Sequence, residues 1–547
     1  MEGWFRRSLL HFKVQPGWAL IAAAVVIVGI CYANSLPNGF ILDDYHVVSV
    51  NPAIRTIAPL QFLKTPYWGT KSSSGIYRPV TIFSFALEYP LWRQWAGGYR
   101  LMNLLLHAMN GVLVFFVLRG LLQSATAAGA ASAIYLAHPV HTEPVVGLVG
   151  RSELLATLFF LLAWIFFRQR KIVLCSAAFL ISLLSKENAI VFPAVMMLDI
   201  FILEGSFRKI ILQWKRLAAV TSVAVFYLVA RLVVLGGLGV PKTAQYLDGS
   251  LTVAQRELTS GRAFLKYFQL LVAPVDVTGD YDFNSIPVAT ANDWLAWLGL
   301  LLVVIMIVFA FRMRKNQPAL AFAIFFFFVT MFPTSNWIMP TSIIMSERAL
   351  YLPSLGICLI AGLLWARLPR REARTLLGLG VMATAALLCI AHNYVWRDDL
   401  SYYRNMVRVL PNNTRGRQGY GVALIEAGYP KEAILQFEDG LKIKRNAPLL
   451  VGLSEALMQV DGDCGRARQL LQEASHIEPA DPFARWLMGG CFEKEGRVAE
   501  AEVEYRRAIS DTEFPDPKLF ADWGRALERT GRSLEAQEAY RRAALLK

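Results

Sequence analysis

The chain is 547 residues long, with 55% hydrophobic and only 18% charged residues and a mean hydropathy of +0.41. Soluble domains carry roughly 25% charged residues, so the composition excludes a wholly soluble string of domains and points to a polytopic membrane protein. The excess of 55 Lys+Arg over 41 Asp+Glu, a net charge of +14, is what cytoplasmic loops of such a protein supply, and we do not read it as nucleic-acid binding.

From Trp18 to Tyr394 long apolar runs alternate with short polar breaks. They predict membrane helices near 18–36, 101–118, 122–137, 153–167, 172–186, 189–204, 217–236, 293–311, 317–334, 349–366 and 375–394. Most match a hydrocarbon core of ~30 Å at 1.5 Å per residue. Basic residues cluster at Arg6, Arg7 and Lys13, at Arg168, Arg170 and Lys171, and at Arg208, Lys209, Lys215 and Arg216. They recur at Arg312, Arg314 and Lys315 and at Arg367, Arg370, Arg371 and Arg374. All fall on one side if the chain starts in the cytoplasm, and about eleven crossings then leave the C-terminus outside. The short apolar stretch 262–274 would invert that pattern as a span, so it is read as lying at the outer interface or re-entering the membrane. Cys31-Tyr32-Ala33 fits a signal-peptide cleavage site only weakly, and the first helix is read as an anchor.

The last part has a different period. Ala433, Ala467, Ala501 and Ala536 are 34, 34 and 35 residues apart, and each is followed four residues later by Phe437, Leu471, Tyr505 or Tyr540. Gly421, Gly489 and Gly524 precede three of them by twelve residues, with Glu455 breaking the pattern. This is the register of the tetratricopeptide repeat, a helix–turn–helix unit. The expected layout is therefore an all-α chain: a membrane domain over 1–396, a linker over 397–413, and about four repeats over 414–547. Four cysteines (Cys31, Cys175, Cys358, Cys389) lie in apolar runs and read as small core residues. Cys464 and Cys491 fall on neighbouring helices of the second and third repeats, where spacing and an oxidising compartment would allow a disulfide.

Chemistry is expected on the outward loops. The first, 37–100, is the longest and opens with Asp43-Asp44; it also carries Tyr77-Arg78-Pro79 ahead of an apolar, aromatic interfacial segment. An Asp pair in a loop is also a common turn or helix cap. The second outward loop holds His138, His141 and Glu143, then Arg151. Two histidines and a glutamate suggest a metal site, but Pro139 and Pro144 break the helical spacing and no third histidine is near. A third break carries Lys186 and Glu187, which could simply pair with each other, and the last carries Arg348 at a helix mouth. Carboxylates amid cations at a membrane surface suit an amphiphilic anionic substrate, above all a lipid phosphate.

The stretches FILDDYHVV, IYRPVTIFSF, HPVHTEPVVGLVGRSELLA, SKENAI and SERALYLPS, in that order and followed by the repeats, resemble the transmembrane-and-tetratricopeptide-repeat protein O-mannosyltransferases, membrane glycosyltransferases of the GT-C class. The resemblance covers essentially the whole chain, although the 237–262 loop is short and weakly patterned beside the family's. It implies a polyprenyl- or dolichyl-phosphate sugar donor, usually of mannose, and inverting transfer to a hydroxyl on the outer or lumenal face. The family's first-loop acid maps onto the Asp43-Asp44 pair, with Asp44 the first choice for general base and Asp43 the second. Arg78, Arg151, Lys186 and Arg348 would compensate the departing phosphate, and Glu143 would orient the acceptor. No cofactor is required on this reading, although Asp44 and Glu143 could share a divalent cation, Mg or Mn. A protein acceptor would be recruited by the repeats, outside a bacterial inner membrane or in the lumen of an endoplasmic reticulum. The alternatives are another lipid-linked glycan transferase, of the oligosaccharyltransferase or O-antigen-ligase type, and a non-enzymatic membrane scaffold. A transporter finds no support in an inverted repeat or in charges deep within a span.

Overall fold

The computed structural model describes residues 17–57, 59–64, 66–67, 75–236, 251–281, 285–337, 341, 343–512 and 516–545. The Arg6, Arg7 and Lys13 cluster and most of the 237–262 loop lie outside them. Residues 1–401 and 402–547 form two compact units. The described residues form helices and no strand, with a single bridge between Tyr281 and Met345.

In the first unit a helical element stands at every run read as a span. They are α1 (Gly17–Tyr32), then α2 (Pro79–Trp92) within the long connection, α3 (Ala96–Leu122), α4 (Ala125–Ala137), α5 (Arg151–Arg168) and α6 (Ile172–Ser185). After them come α7 (Phe192–Leu198), α8 (Trp214–Leu235), α9 (Val253–Val272), α10 (Trp294–Met313), α11 (Pro318–Met331), α12 (Ser354–Arg367) and α13 (Arg371–Val395). Among the described residues six helices are long and apolar enough to cross a membrane, and four further apolar ones in this unit are shorter. The run 189–204 is not one regular helix. A 3₁₀ turn over Glu187–Val191 leads into α7, which carries Pro193 in its first turn, and α7 ends in a π turn over Asp199–Leu203. Proline is suited to that first turn because its missing N–H would be unpaired there anyway.

The stretch read as 262–274 is the second half of a longer helix. Thr252 and Gln255 close a capping box that starts α9 ten residues earlier. Its apolar positions then share one face, and that face packs on α10. The crossing is close: a Cβ on Gly299 would stand 1.9 Å from the Gly261 carbonyl oxygen, so only glycine fits.

The first and last membrane helices are tied end to end. Asn393 donates to Cys31 O at 2.8 Å, and Asn38 donates to Asn393 O and Trp396 O at 2.9 and 3.0 Å. Where a linker was expected over 397–413, helix α14 (Asp399–Val409) forms.

The described residues of the second unit form four helix pairs: α15 (Thr414–Glu426) with α16 (Pro430–Ile443), α17 (Ala447–Val460) with α18 (Cys464–Ile477), α19 (Pro482–Lys494) with α20 (Val498–Asp511), and α21 (Pro517–Arg529) with α22 (Ser533–Leu545). Ala433, Ala467, Ala501 and Ala536 are all fully buried. Each pair turns at a glycine with positive φ (Gly428, Gly462, Gly496, Gly531), the left-handed C-cap that glycine adopts without penalty. Gly421, Gly489 and Gly524 sit against the rings of Phe437, Tyr505 and Tyr540, with no room for a Cβ. In the second repeat the small residue is Ser454, one place before Glu455; it is buried and donates to Ala467 O at 3.2 Å. The expected disulfide is absent. Cys464 and Cys491 are free thiols packed together with Ala467, acting as two small core side chains.

Candidate functional site

The long connection turns sharply just before its acids. Leu42 has φ +50°, a left-handed conformation in which a branched side chain is strained by about 1–2 kcal/mol. The turn is held from behind: Gly39 N donates to Arg397 O at 3.1 Å and Leu42 N to Asp399 Oδ1 at 3.2 Å. Arg100, fully buried, donates to Asn38 O (2.7 Å), Gly39 O (2.9 Å) and Val146 O (2.9 Å). One guanidinium thus pins the 37–44 turn to the 138–150 connection. A buried guanidinium needs such acceptors, because its charge cannot be shed.

The two acids have different surroundings. Asp44 is 1% exposed, and its oxygens accept from Val149 N at 3.2 Å and Ile41 N at 3.5 Å. Burial raises its pKa to about 7, with the Arg100 charge and the two backbone N–H groups pulling the other way. Asp43 is only half-buried and lies within electrostatic reach of Arg348 and Tyr67. Asp43 is therefore the more accessible of the two acids, whereas the sequence had favoured Asp44.

The cations named from the sequence each meet a carboxylate. Arg78 forks onto Glu187 (2.9 and 2.6 Å), Lys186 pairs with Glu153, and Arg348 lies 3.5 Å from Glu143. Lys186 and Glu187 therefore do not pair with each other, as their adjacency had suggested. Burial pushes the Glu187 carboxyl up, but the Arg78 fork outweighs it and holds it well below its usual range. Arg348, Arg78 and Lys186 feel one another's charges, so the three pairs form one cluster at the end of the bundle where four connections meet. Arg151 stands apart. It is fully buried, bidentate on Glu88, bonded to Asn103 and Tyr99 O, and stacked 4.6 Å from the Phe85 ring. With its donors taken by protein acceptors it is a structural strut and cannot meet a lipid phosphate as the sequence had suggested.

Glu143 also differs from its expected part. Its oxygens accept from Arg348 N at 2.8 Å and face Arg348 Nε, so it orients Arg348. Burial raises its pKa, and Arg348 opposes the rise. The oxygens of Asp44 and Glu143, which the sequence reading offered to a divalent ion, each accept a protein donor here. His138 Nε2 meets Leu271 O, and His141 lies between Tyr135 O and Ser354 Oγ, so these imidazoles serve packing. Among the described residues no group of three His, Cys, Asp or Glu side chains converges as a metal site. Beside Arg348 lies fully buried Glu347, bonded to Thr278 N (2.7 Å) and Tyr281 Oη. Burial and the Glu143 charge push its pKa well up, which favours a neutral acid there.

Sequence reasoning missed Arg100, Glu88 and Asn103. A signal was present, since an arginine or a glutamate beside an apolar run has to find a buried partner, but the partner's identity depends on which loops meet.

No family model matches the chain. Curated relatives do. The Caenorhabditis elegans protein O-mannosyl-transferase F38B6.6 is 29% identical over 434 residues, covering 75% of this chain and 61% of that protein. Mouse protein O-mannosyl-transferase TMTC3 is 25% identical over 539 residues, 90% of this chain and 54% of its own. Human protein O-mannosyl-transferase TMTC4 is 27% identical over 493 residues, 77% and 66% respectively. The chain thus spans between half and two-thirds of the length of these relatives.

Proposed function

We propose that this chain, a relative of the transmembrane-and-tetratricopeptide-repeat O-mannosyl-transferases, moves mannose from a polyprenyl- or dolichyl-phosphate donor to a protein Ser or Thr hydroxyl on the non-cytoplasmic face of a membrane. The observation that carries this reading is a half-buried acid, Asp43, within electrostatic reach of Arg348, which shares one cluster with Arg78 and Lys186 at one end of the bundle.

In the reaction the acceptor oxygen attacks the anomeric carbon from the face opposite the phosphate, inverting it. Its proton passes to Asp43 while the carbon–oxygen bond to phosphate breaks and the electron pair stays on the phosphate. A positioned base of this kind contributes typically 10²–10⁴ in rate. Asp44 holds the turn that presents Asp43, Glu143 aims Arg348, and Arg78 and Lys186, each held by its own carboxylate, line the same end of the bundle. The repeats, on the same side by the distribution of basic residues, are suited to receive the acceptor polypeptide.

Purified full-length protein incubated with radiolabelled polyprenyl-phosphate mannose and an unfolded Ser/Thr-rich acceptor should transfer label, or slowly hydrolyse the donor without acceptor. Folded protein that does neither with mannosyl, glucosyl or N-acetylhexosaminyl lipid phosphates would refute the reading and favour a scaffold.

A further inference from the structure

Each cation assigned to the donor from the sequence is already matched by a carboxylate: Arg78 by Glu187, Arg151 by Glu88, Lys186 by Glu153 and Arg348 by Glu143. Transfer from a lipid-phosphate donor turns a singly charged phosphodiester into a phosphate that gains a second negative charge as the carbon–oxygen bond breaks. A cluster whose charges already cancel in pairs offers that charge little net compensation.

Among the described residues a further arginine adjoins this cluster with no carboxylate in salt-bridge contact. Arg231 lies one turn before the end of α8, about 25 Å along the helix from Trp214 at 1.5 Å per residue. The basic residues at the start of α8 face the cytoplasm on the positive-inside pattern, so Arg231 stands at the depth of the opposite headgroups. Its Nη2 donates to Gly75 O at 2.8 Å, next to the segment that carries Arg78. Tyr227, one turn earlier, feels the charges of Glu187, Arg231 and Arg78 together, and its ring lies 6.4 Å from that of Tyr77. Arg231 is half-buried; its Nε and the Tyr227 hydroxyl are buried beside each other and interact, and among the described residues neither is bonded to any other group. A half-buried guanidinium at a membrane interface, with no carboxylate paired to it among the described residues, is a receptor for a phosphate oxygen.

We propose that Arg231, with the Tyr227 hydroxyl beside it, binds the phosphate of an isoprenoid phosphate at the lipid-facing edge of the site, while Arg78, Lys186 and Arg348 stay tied to their carboxylates. The assignment rests on the transferase reading for its ligand class but not for its geometry. Arginine suits the task in both reaction states, since it meets the diester in the ground state and the more highly charged monoester afterwards.

The test uses the full chain in detergent with undecaprenyl monophosphate, dioleoylphosphatidate and inorganic phosphate as probes, and the variants Arg231→Gln and Arg231→Lys. Arg231→Gln should bind undecaprenyl phosphate at least 10-fold more weakly with an unchanged thermal unfolding profile, and Arg231→Lys should recover part of the loss. Binding of the other two probes should not change. Wild-type affinity in Arg231→Gln overturns the assignment. So does an equal loss for phosphatidate, which would mark a general lipid contact. On the unmodified protein, a photoactivatable polyprenyl phosphate should label the 227–235 turn, and labelling confined to other helices also overturns it. If no sugar transfer is ever seen while undecaprenyl phosphate binding stays dependent on Arg231, the phosphate site stands and the transferase reading falls.

Discussion

Replacing Arg151 by methionine tests whether this arginine is a strut or a donor-binding group. The variant removes the fork on Glu88 and the bonds to Asn103 and Tyr99 O, and it leaves the Glu88 carboxyl buried without its counter-charge. A buried pair broken on one side typically costs 3–5 kcal/mol. Glu88 can limit the damage by taking up a proton. From its ordinary pKa of 4.5, doing so at pH 7 costs about 2.5 units × 1.36, or about 3.4 kcal/mol, and at pH 5 about 0.7 kcal/mol. The two lost hydrogen bonds add roughly 1 kcal/mol each at any pH. Arg151→Met should therefore lose about 5 kcal/mol at pH 7 and about 2.7 kcal/mol less at pH 5, read by denaturant titration in mixed micelles. Adding Glu88→Leu should restore most of the pH-dependent part. Equal losses at both pH values would refute the stranded-charge argument. An undamaged Arg151→Met protein with a raised donor KM would refute the structural assignment altogether.

Asp43→Asn should lower transfer by ~10²-fold or more with stability unchanged, whereas Asp44→Asn should also destabilise by about 1–3 kcal/mol by turning an amide donor onto a backbone N–H; kcat beside an unfolding curve separates the two. Asp44 binds its proton more tightly when folded (about 7) than when unfolded (3.8), so its contribution to stability is full below about pH 4 and lost as pH rises to 7. Its ionised form is the one that accepts both backbone N–H groups, so transfer should rise with an apparent pKa near 7 that disappears in Asp44→Asn. Gly299→Leu should separate α9 from α10, since even a Cβ meets the Gly261 carbonyl at 1.9 Å; the check is loss of resistance to SDS. Mass spectrometry of protein alkylated under denaturing, non-reducing conditions should find Cys464 and Cys491 both modified.

The helices and the repeats were legible because their signals are local and periodic. A run of apolar residues is its own evidence for a membrane helix, and an alanine every 34 residues is its own evidence for a repeat. The site was half legible. Asp43, Arg78, Lys186 and Arg348 stood out because charge beside an apolar run has no solvation reason to be there. Which of them remain available depends on pairings across 30 to 200 residues, such as Glu153 with Lys186 and Glu143 with Arg348. Arg151 looked like a ligand because its partner Glu88 lies within a segment that reads as merely interfacial. Asp44 looked better than Asp43 because a buried acid and an exposed one differ only by the direction of a turn, and Leu42 takes a backbone conformation that its residue type does not advertise. Arg231 sits inside an apolar run, where its charge reads as a minor blemish in a span.

The bonds that hold the Asp43-Asp44 turn have a bearing on when the molecule becomes complete. Gly39 and Leu42 are secured by Arg397 and Asp399, and Asn38 by Asn393 and Trp396, partners more than 350 residues further along. A ribosome making this chain releases the turn among the first segments and its fastenings among the last of the membrane unit. At ~5–20 residues per second, tens of seconds separate the two. Contacts at such separations form late because the intervening chain must be ordered first. Every helix between α1 and α13 can be in place while the acid pair still lacks its backing, so a nascent chain carries an unfinished turn until the segment after α13 has emerged.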